Sequence, residues 1–262
     1  MSTIAGLRTL AVDIGGTNIK VLVLDEAGGL LSERTRLPTP QPAKPEPMID
    51  IIVKLAAEHP PFDRVSVGFP GVVQHGVVRT APNLDPDWCG FNCDKALEDR
   101  LGKPVRVCND ADMQGFGAIS GEGLEMVITL GTGMGSALFV DGILVPNLEL
   151  AHHPFAEGKT YEQWLGDKSL KALGEPLWKE WLAKAVVQMR HTFNFDVLYL
   201  GGGNARLLDA TKYYPDVRLV DNIAGLLGGI ALWTDVHGTS LHRAPHSTGA
   251  HSMLVPGAGG AW

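Results

Sequence analysis

The stretch "TLAVDIGGTNIKVLVLDEAGGLL", Thr9 to Leu31, decides the fold. Its alternating, β-branched residues predict a strand over Leu7 to Asp13 and another over Ile19 to Asp25, broken between them by Gly15-Gly16-Thr17. A third strand, Leu30 to Leu37, follows the turn Glu26-Ala27-Gly28-Gly29. Further on, "VITLGTGMGSALFVDGILV", Val127 to Val145, repeats the plan with its own glycine break. Laid together without a gap, Asp13 falls on Thr129, Gly15 on Gly131, Val21 on Ala137, Leu22 on Leu138 and Asp25 on Asp141. Each unit is followed by a helix and another strand. This pattern predicts an α/β protein of two duplicated domains with a cleft between the copies.

The remaining elements fit between these units. Pro38 to Pro47 is a proline-rich connection, and Met48, Ile51, Ile52, Leu55 and Ala56 share one helical face that stops at His59-Pro60-Pro61. Strands are expected at Arg64 to Gly71 and Val105 to Asp110, with a hairpin pivot near His75-Gly76 between them. A helix over Ala111 to Ser120 leads into the second glycine-broken unit. Trp178, Trp181, Leu182, Ala185, Val186 and Met189 form the stripe of an amphipathic helix and read as core or dimer interface. The strand Val197 to Leu200, the turn Gly201-Gly202-Gly203, a strand Val217 to Val220 and a helix from Asn222 to Asp235 complete the second half. The expected boundaries are an N-terminal domain over 1–110, a C-terminal domain over 111–236 and a flexible tail over 237–262. Four histidines in the tail (His237, His242, His246, His251) are irregularly spaced and lack acidic or cysteine partners, so a loose tail is the expectation over a metal site.

Composition narrows the partners. A net charge of −7 and a pI near 5.7 argue against broad nucleic-acid or membrane-surface binding, so an anionic ligand must be held by local donors. No apolar run approaches the ~20 residues of a membrane span, and no signal-peptide layout opens the chain. Three cysteines, Cys89, Cys93 and Cys108, suit reduced structural thiols better than a disulfide framework or a metal pair. A cytoplasmic location is expected.

The glycine breaks carry the chemistry. Glycine lets backbone approach a ligand closely, and successive exposed N–H groups make an anion-binding concavity. Thr17, Thr129 and Thr132 add hydroxyl donors and Lys20 a point charge. One such turn is an ordinary hairpin; a pair, one from each half, can hold a polyanion from two sides. Gly131, Gly133 and Gly135 are spaced G-x-G-x-G, so neither turn is a dinucleotide fingerprint, and no P-loop lysine follows.

The motifs "DIGGTNIK" (Asp13 to Lys20), "LGTGMGSA" (Leu130 to Ala137) and "LYLGGG" (Leu198 to Gly203) resemble the phosphate and adenosine motifs of the actin/hexokinase/Hsp70-like ATPase superfold. Within it the chain is similar to the ROK-family sugar kinases. "FPGVVQHGVVRTAPNLDPDWCG" (Phe69 to Gly90), "NDADMQGFG" (Asn109 to Gly117) and "NLELAHHPF" (Asn147 to Phe155) resemble the polyphosphate-using glucokinases of that family. The resemblance implies duplicated ribonuclease H-like domains around a central cleft. It implies phosphorylation of the glucose 6-hydroxyl from inorganic polyphosphate, with ATP as a further donor.

The resemblance also assigns roles. Asp110 is expected as the base that takes the sugar-hydroxyl proton, its other role being a helix cap; Asp112 is expected to be a capping or surface acid. Asn83, Asn109, Asp110, Glu149, His152 and Glu162 match sugar-lining positions, with His153 competing with His152 and Ala151 standing where the family has glycine. Asp13, Gly15, Gly16, Thr17, Asn18, Lys20, Thr132, Gly133 and Gly135 would hold phosphates, and Asp13 would orient Mg²⁺ through water. Gly201, Gly202 and Gly203, with Ala224-Gly225, would shape a nucleotide pocket. The segment Phe155 to Gly166 has no cysteine, so no structural zinc is expected. Trp88 could flank the sugar or close the first domain. A dimer is usual among such relatives. Lys20, Arg79, Lys103 and Arg206 are candidates for a basic track to a long polyphosphate.

Two other readings compete. One is a strictly ATP-dependent hexokinase acting on glucose, mannose or fructose. The other is a non-enzymatic sugar sensor; only twelve residues precede Asp13, which leads us to expect no DNA-reading helix-turn-helix ahead of it.

Overall fold

A computed structural model describes residues 6–209, 215–220 and 224–233. The first half contains β1 (Thr9–Ile14), β2 (Asn18–Leu24), β3 (Thr35–Pro38), helix α1 (Pro45–Ala57), β4 (Arg64–Phe69), a ribbon of β5 (Val73–Gln74) and β6 (Val77–Val78), α2 (Cys93–Leu101) and β7 (Val105–Asn109). Helix α3 (Asp110–Phe116) leads into the second half. There follow β8 (Leu124–Leu130), β9 (Met134–Val140), β10 (Ile143–Val145), a ribbon of β11 (Pro154–Ala156) and β12 (Lys159–Thr160), α4 (Tyr161–Leu165), α5 (Asp167–Leu173), α6 (Glu175–Phe193), β13 (Val197–Gly201) and β14 (Val217–Leu219). Helix α7 (Ala224–Leu227) and a 3₁₀ segment, Gly228–Trp233, end the described chain.

The two main sheets have one topology. The first runs β3-β2-β1-β4-β7 and the second β10-β9-β8-β13-β14. In each, three antiparallel strands are extended by two parallel ones. The duplication read from the glycine breaks is therefore present in the strand order.

The gap-free register, however, holds only on the first arm of each hairpin. Leu10, Val12 and Ile14 face the first half's main core as Met126, Ile128 and Leu130 face the second's. Beyond the turn, Asp13 lies opposite Lys20, whereas Thr129 lies opposite Gly135 rather than Ser136. The second turn is one residue shorter, and a one-residue slip sends every side chain to the other face. Thus Val21 packs in the outer core of its half, while Ala137 faces the inner cluster with Val127 and Phe139. Leu22 corresponds to Ala137 and Leu24 to Phe139, both pairs on the inner face.

Each sheet is covered on both sides. Helices α1 and α2 close the outer face of the first with Met48, Ile49, Ile52 and Leu97, and α4 to α6 close the second with Trp164, Trp178, Trp181 and Leu182. Burial of side chains of this size stabilises the fold by roughly 1.5–3 kcal/mol each. The tryptophan stripe of α6 thus belongs to the core. Trp88, fully buried, donates its indole N–H to the Ala43 carbonyl (2.9 Å) and packs on Phe69 and Phe91, closing the first half away from the cleft.

Several elements depart from expectation. The expected strand Leu30 to Leu37 survives as one bridge, Leu24 to Leu30, and as β3. Helix α3 stops at Phe116, with Gly117 as its C-cap. Helix α2 escaped the sequence reading although Asn92 caps Lys95 N–H and Gly102, at φ 64°, ends it; α4 and α5 were missed as well. The expected helix Asn222 to Asp235 breaks into α7 and the 3₁₀ segment, because Gly228-Gly229 is a weak helix interior. That last segment returns to the first sheet: Leu226 packs with Ala11, Leu22 and Leu24, and Ser66 Oγ donates to Gly229 O (2.5 Å). Residues 237–262, the expected tail with its four histidines, lie outside the described residues.

Candidate active site

The two glycine turns face one another across a cleft of about 530 Å³. Asp13, Gly15, Gly16 and Lys20 line it from the first half; Thr129 to Ser136 line it from the second. Asn83, Asn109, Asp110, Glu149, His152 and Glu162 join them, so all six sugar-side candidates share one cavity with both turns.

Asp110 sits where β7 ends and α3 begins, half-buried on the cleft wall. It is not the helix cap. Asn109 takes that role: its Oδ1 accepts from the N–H groups of Ala111 (2.8 Å) and Asp112 (3.2 Å), and its amide donates to Gly71 O (3.2 Å). Capping by Asn109 frees the Asp110 carboxyl, which accepts the Ala111 N–H (2.8 Å). Burial, then the charge of Asp13 and further the charge of Glu149, push Asp110 up to about 7, against the Ala111 hydrogen bond. A carboxyl poised there can accept a proton near neutral pH.

Asp112 departs from the expected surface or capping acid. It is 2 % exposed, accepts the backbone N–H of Asn147, and is pushed up to about 8 by burial, with Asp110 and Glu149 adding to the shift. A sequence gives a helix its faces but not the partner of each face.

The loop from Asn147 to Leu150 carries Glu149 into the cleft. Asn147 holds a left-handed φ of 61°. Ser136 Oγ donates to Leu148 O (2.6 Å) and accepts from Leu150 N–H (3.2 Å). Burial raises the Glu149 pKa, His152 opposes, and Glu162 adds to the rise. His152 Nε2 lies 3.4 Å from Glu149 Oε2 and lines the cleft, whereas the exposed His153 turns its Nδ1 to Pro154 O (2.9 Å). The contest between the two histidines thus resolves to His152 as the cleft residue. Ala151 is buried at the wall. Helix α4, opened by the Thr160–Gln163 capping box, sets Glu162 to accept Met134 N–H (3.3 Å) at the second glycine turn.

On the phosphate side, Lys20 Nζ donates to Asp13 Oδ2 (2.6 Å), the two being cross-strand neighbours. One carboxylate among glycine amides fits a hard cation held chiefly by phosphate oxygens and water. Gly202 and Gly203 line the cleft after β13; Gly201, Thr17 and Asn18 are on the same turns but outside its lining. Ala224 and Gly225 open α7, and their side-chain surroundings lie outside what is described. Of the basic candidates, Lys20 and Arg206 line the cleft, and Arg79 and Lys103 do not.

Residues that the sequence reading missed complete the wall. Asp167 donates its N–H to Gly131 O (2.9 Å) and accepts from Asn204 Nδ2 on Oδ1 (2.8 Å), bracing the second glycine turn against the Gly202 turn. Gln114 also lines the cleft one turn beyond Asp110. Asn204, directly after the triple glycine, was the one with a readable signal.

Two topologically identical sheets with glycine hairpins opposed across a cleft define the actin-like ATPase fold. The ROK family model matches residues 9–147, and the chain belongs to that family. It is 33% identical over 236 residues to the polyphosphate glucokinase of Mycobacterium tuberculosis, covering 83% of this chain and 88% of the relative. The crystal structure of the inorganic polyphosphate/ATP-glucomannokinase of Arthrobacter sp. strain KM superposes with a TM-score of 0.77 at 36% identity, covering 86% of this chain and 98% of that one. A ROK family glucokinase from Streptomyces griseus, solved with glucose and AMPPNP, shares the fold at 23% identity and a TM-score of 0.70, over 86% of this chain and 98% of that one.

Proposed function

We propose that this chain transfers a phosphoryl group from inorganic polyphosphate, and also from ATP, to the 6-hydroxyl of glucose. The observation that carries the reading is Asp110, a half-buried carboxyl lining a cleft that it shares with two phosphate-type glycine turns and a set of polar side chains suited to a sugar. The polyphosphate-using relatives span more than four-fifths of the chain and support the donor class.

Under this reading Asn83, Asn109, Glu149, His152 and Glu162 hold the hexose hydroxyls so that one of them meets the Asp110 carboxylate. Asp110 accepts the hydroxyl proton as the oxygen attacks the terminal phosphorus, whose bond to the bridging oxygen breaks so that polyphosphate one unit shorter, or ADP, departs. Gly15, Gly16, Thr132, Gly133 and Gly135 present backbone N–H groups to the donor phosphates, with Thr17 and Asn18 shaping the first turn. Lys20 moves from Asp13 to a phosphate oxygen. Asp13 would hold Mg²⁺ through water, and that ion, when bound, neutralises donor charge. Gly201, Gly202, Gly203 and Arg206 form the remote end of the donor site. The two halves, divided near 110 and with the segment 224–233 packed back on the first, close on the sugar and exclude water. We further propose a cytoplasmic homodimer.

A strictly ATP-dependent hexokinase is the second reading, favoured by a cleft that still reaches Gly202, Gly203 and Asn204. Purified protein is tested with glucose, mannose and fructose against ATP and long-chain polyphosphate, with Mg²⁺ present. Glucose phosphorylation from polyphosphate is expected; turnover from ATP alone selects the second reading, and none from either donor removes both.

A further inference from the structure

Asp112 has surroundings that a surface acid would not have. Its side chain is 2 % exposed, and its Oδ1 is buried without a hydrogen-bond partner among the described residues. Its carboxyl accepts the N–H of Asn147, the residue whose left-handed φ of 61° turns the chain toward Glu149. Asp112 thus joins two pieces of the cleft wall: the helix that bears Asp110 and the loop that bears Glu149.

We propose that Asp112 is a positioning residue, locking the Asn147–Glu149 loop to the base-bearing helix so that Glu149 and His152 are preset for the sugar. The inference rests on the sugar-kinase reading above. Asn147 holds a left-handed turn that asparagine adopts more readily than other residues bearing a side chain, and the bond to Asp112 ties that turn to the helix. Ser136 anchors the same loop from the other side through Leu148 and Leu150, so without Asp112 the segment is held at one end only.

The crowding also fixes the form of the anchor. The ionisable groups that face Asp112 are Asp110 on its own helix, Glu149 on the loop and the Cys108 thiol at the end of β7, none of them a cation. A third negative charge among them, with one oxygen unpartnered, is disfavoured, and the carboxyl stays protonated up to about pH 8. It then sets an acceptor oxygen beside a donor O–H, and a carboxamide in the same volume likewise sets an acceptor oxygen beside a donor group.

The test compares Asp112→Asn and Asp112→Ala with the parent chain. Hydrogen exchange, read by mass spectrometry on the peptide covering 145–153, is expected to speed up in Asp112→Ala and to stay at the parent rate in Asp112→Asn. The KM for glucose is expected to rise about tenfold or more in Asp112→Ala, with kcat changing far less, and to stay near the parent value in Asp112→Asn. Activity of the parent is expected to fall as pH rises past about 8 and a further charge enters beside Asp110 and Glu149, and that fall is expected to be missing in Asp112→Asn. An Asp112→Asn variant as impaired as Asp112→Ala overturns the proposal, as does an Asp112→Ala variant with parental exchange and KM. Should Asp112→Ala fail to fold, Asp112→Asn decides alone: parental exchange and KM sustain the proposal and a raised KM ends it. A parent chain inactive on every hexose removes the sugar-kinase reading, while the exchange comparison still decides the anchor.

Discussion

At the scale of single residues, Asp110 is the group on which chemistry and stability pull apart. Its pKa in the folded chain lies above the ordinary carboxylate value, so holding it ionised costs stability, and that cost grows as pH rises from about 4 to about 7. Activity, by contrast, requires the ionised form, and kcat/KM is expected to climb with pH through this range. Asp110→Asn should therefore keep glucose binding, lose about 10²–10⁴-fold in kcat, and melt higher than the parent at pH 7 to 8 but level with it near pH 4. Calorimetry, a glucose titration and a pH–rate series check the three parts; a variant with parental turnover would remove Asp110 from its role. The sequence pointed to this residue because strand, carboxylate and helix follow one another in "VRVCNDAD". It cast Asp112 as a capping or surface acid, and missed its burial, since which carboxyl meets solvent, cleft or loop depends on neighbours more than thirty residues away. Nor did it show that Asn109 carries the cap, which leaves the acid beside it free.

Elements were legible where their period was strong. The glycine-broken hairpins, the parallel strands and the tryptophan stripe of α6 all follow from spacing alone. The one-residue difference between the two turns did not, because strands tolerate either face for small or branched apolar residues until a partner sheet fixes it. Helix α2 was hidden by its modest apolar content, with Cys93 and Leu97 as its buried residues. The turn after β13 makes a stricter demand than its composition suggests. Gly202 has φ 85° and ψ 172°, a glycine-only region, and a Cβ there would sit 2.4 Å from Leu130 O and 2.5 Å from Leu130 N. Gly202→Ala should cost about 1–3 kcal/mol by chemical denaturation and displace the Leu130–Gly131 backbone, weakening donor more than sugar binding. Unchanged donor KM in a destabilised variant would show that the turn serves folding alone.

At the scale of the whole molecule, the notable contact is between segments distant in sequence. Trp233 donates its indole N–H to Ser66 Oγ (2.8 Å) and lies under the Arg106 guanidinium at 4.5 Å, while Gly228 packs so tightly that a Cβ would overlap Met113 O of α3. Gly228→Ala is expected to destabilise by roughly 1–3 kcal/mol in urea unfolding, through displacement of the segment from α3 and the first sheet. A variant as stable as the parent would mean that this contact yields without cost. None of this was readable from the sequence, which showed a helix from Asn222 to Asp235 but not the half that receives it. The polypeptide therefore passes between the two sheets twice, once at α3 and once on the way from β14 to α7. A panel hung on two pins swings about a single axis. Under the closure proposed above, each cycle of opening would bring the opposed glycine turns back to the same mutual placement, and alignment of the reacting groups would be inherited from the hinge rather than found afresh by each substrate.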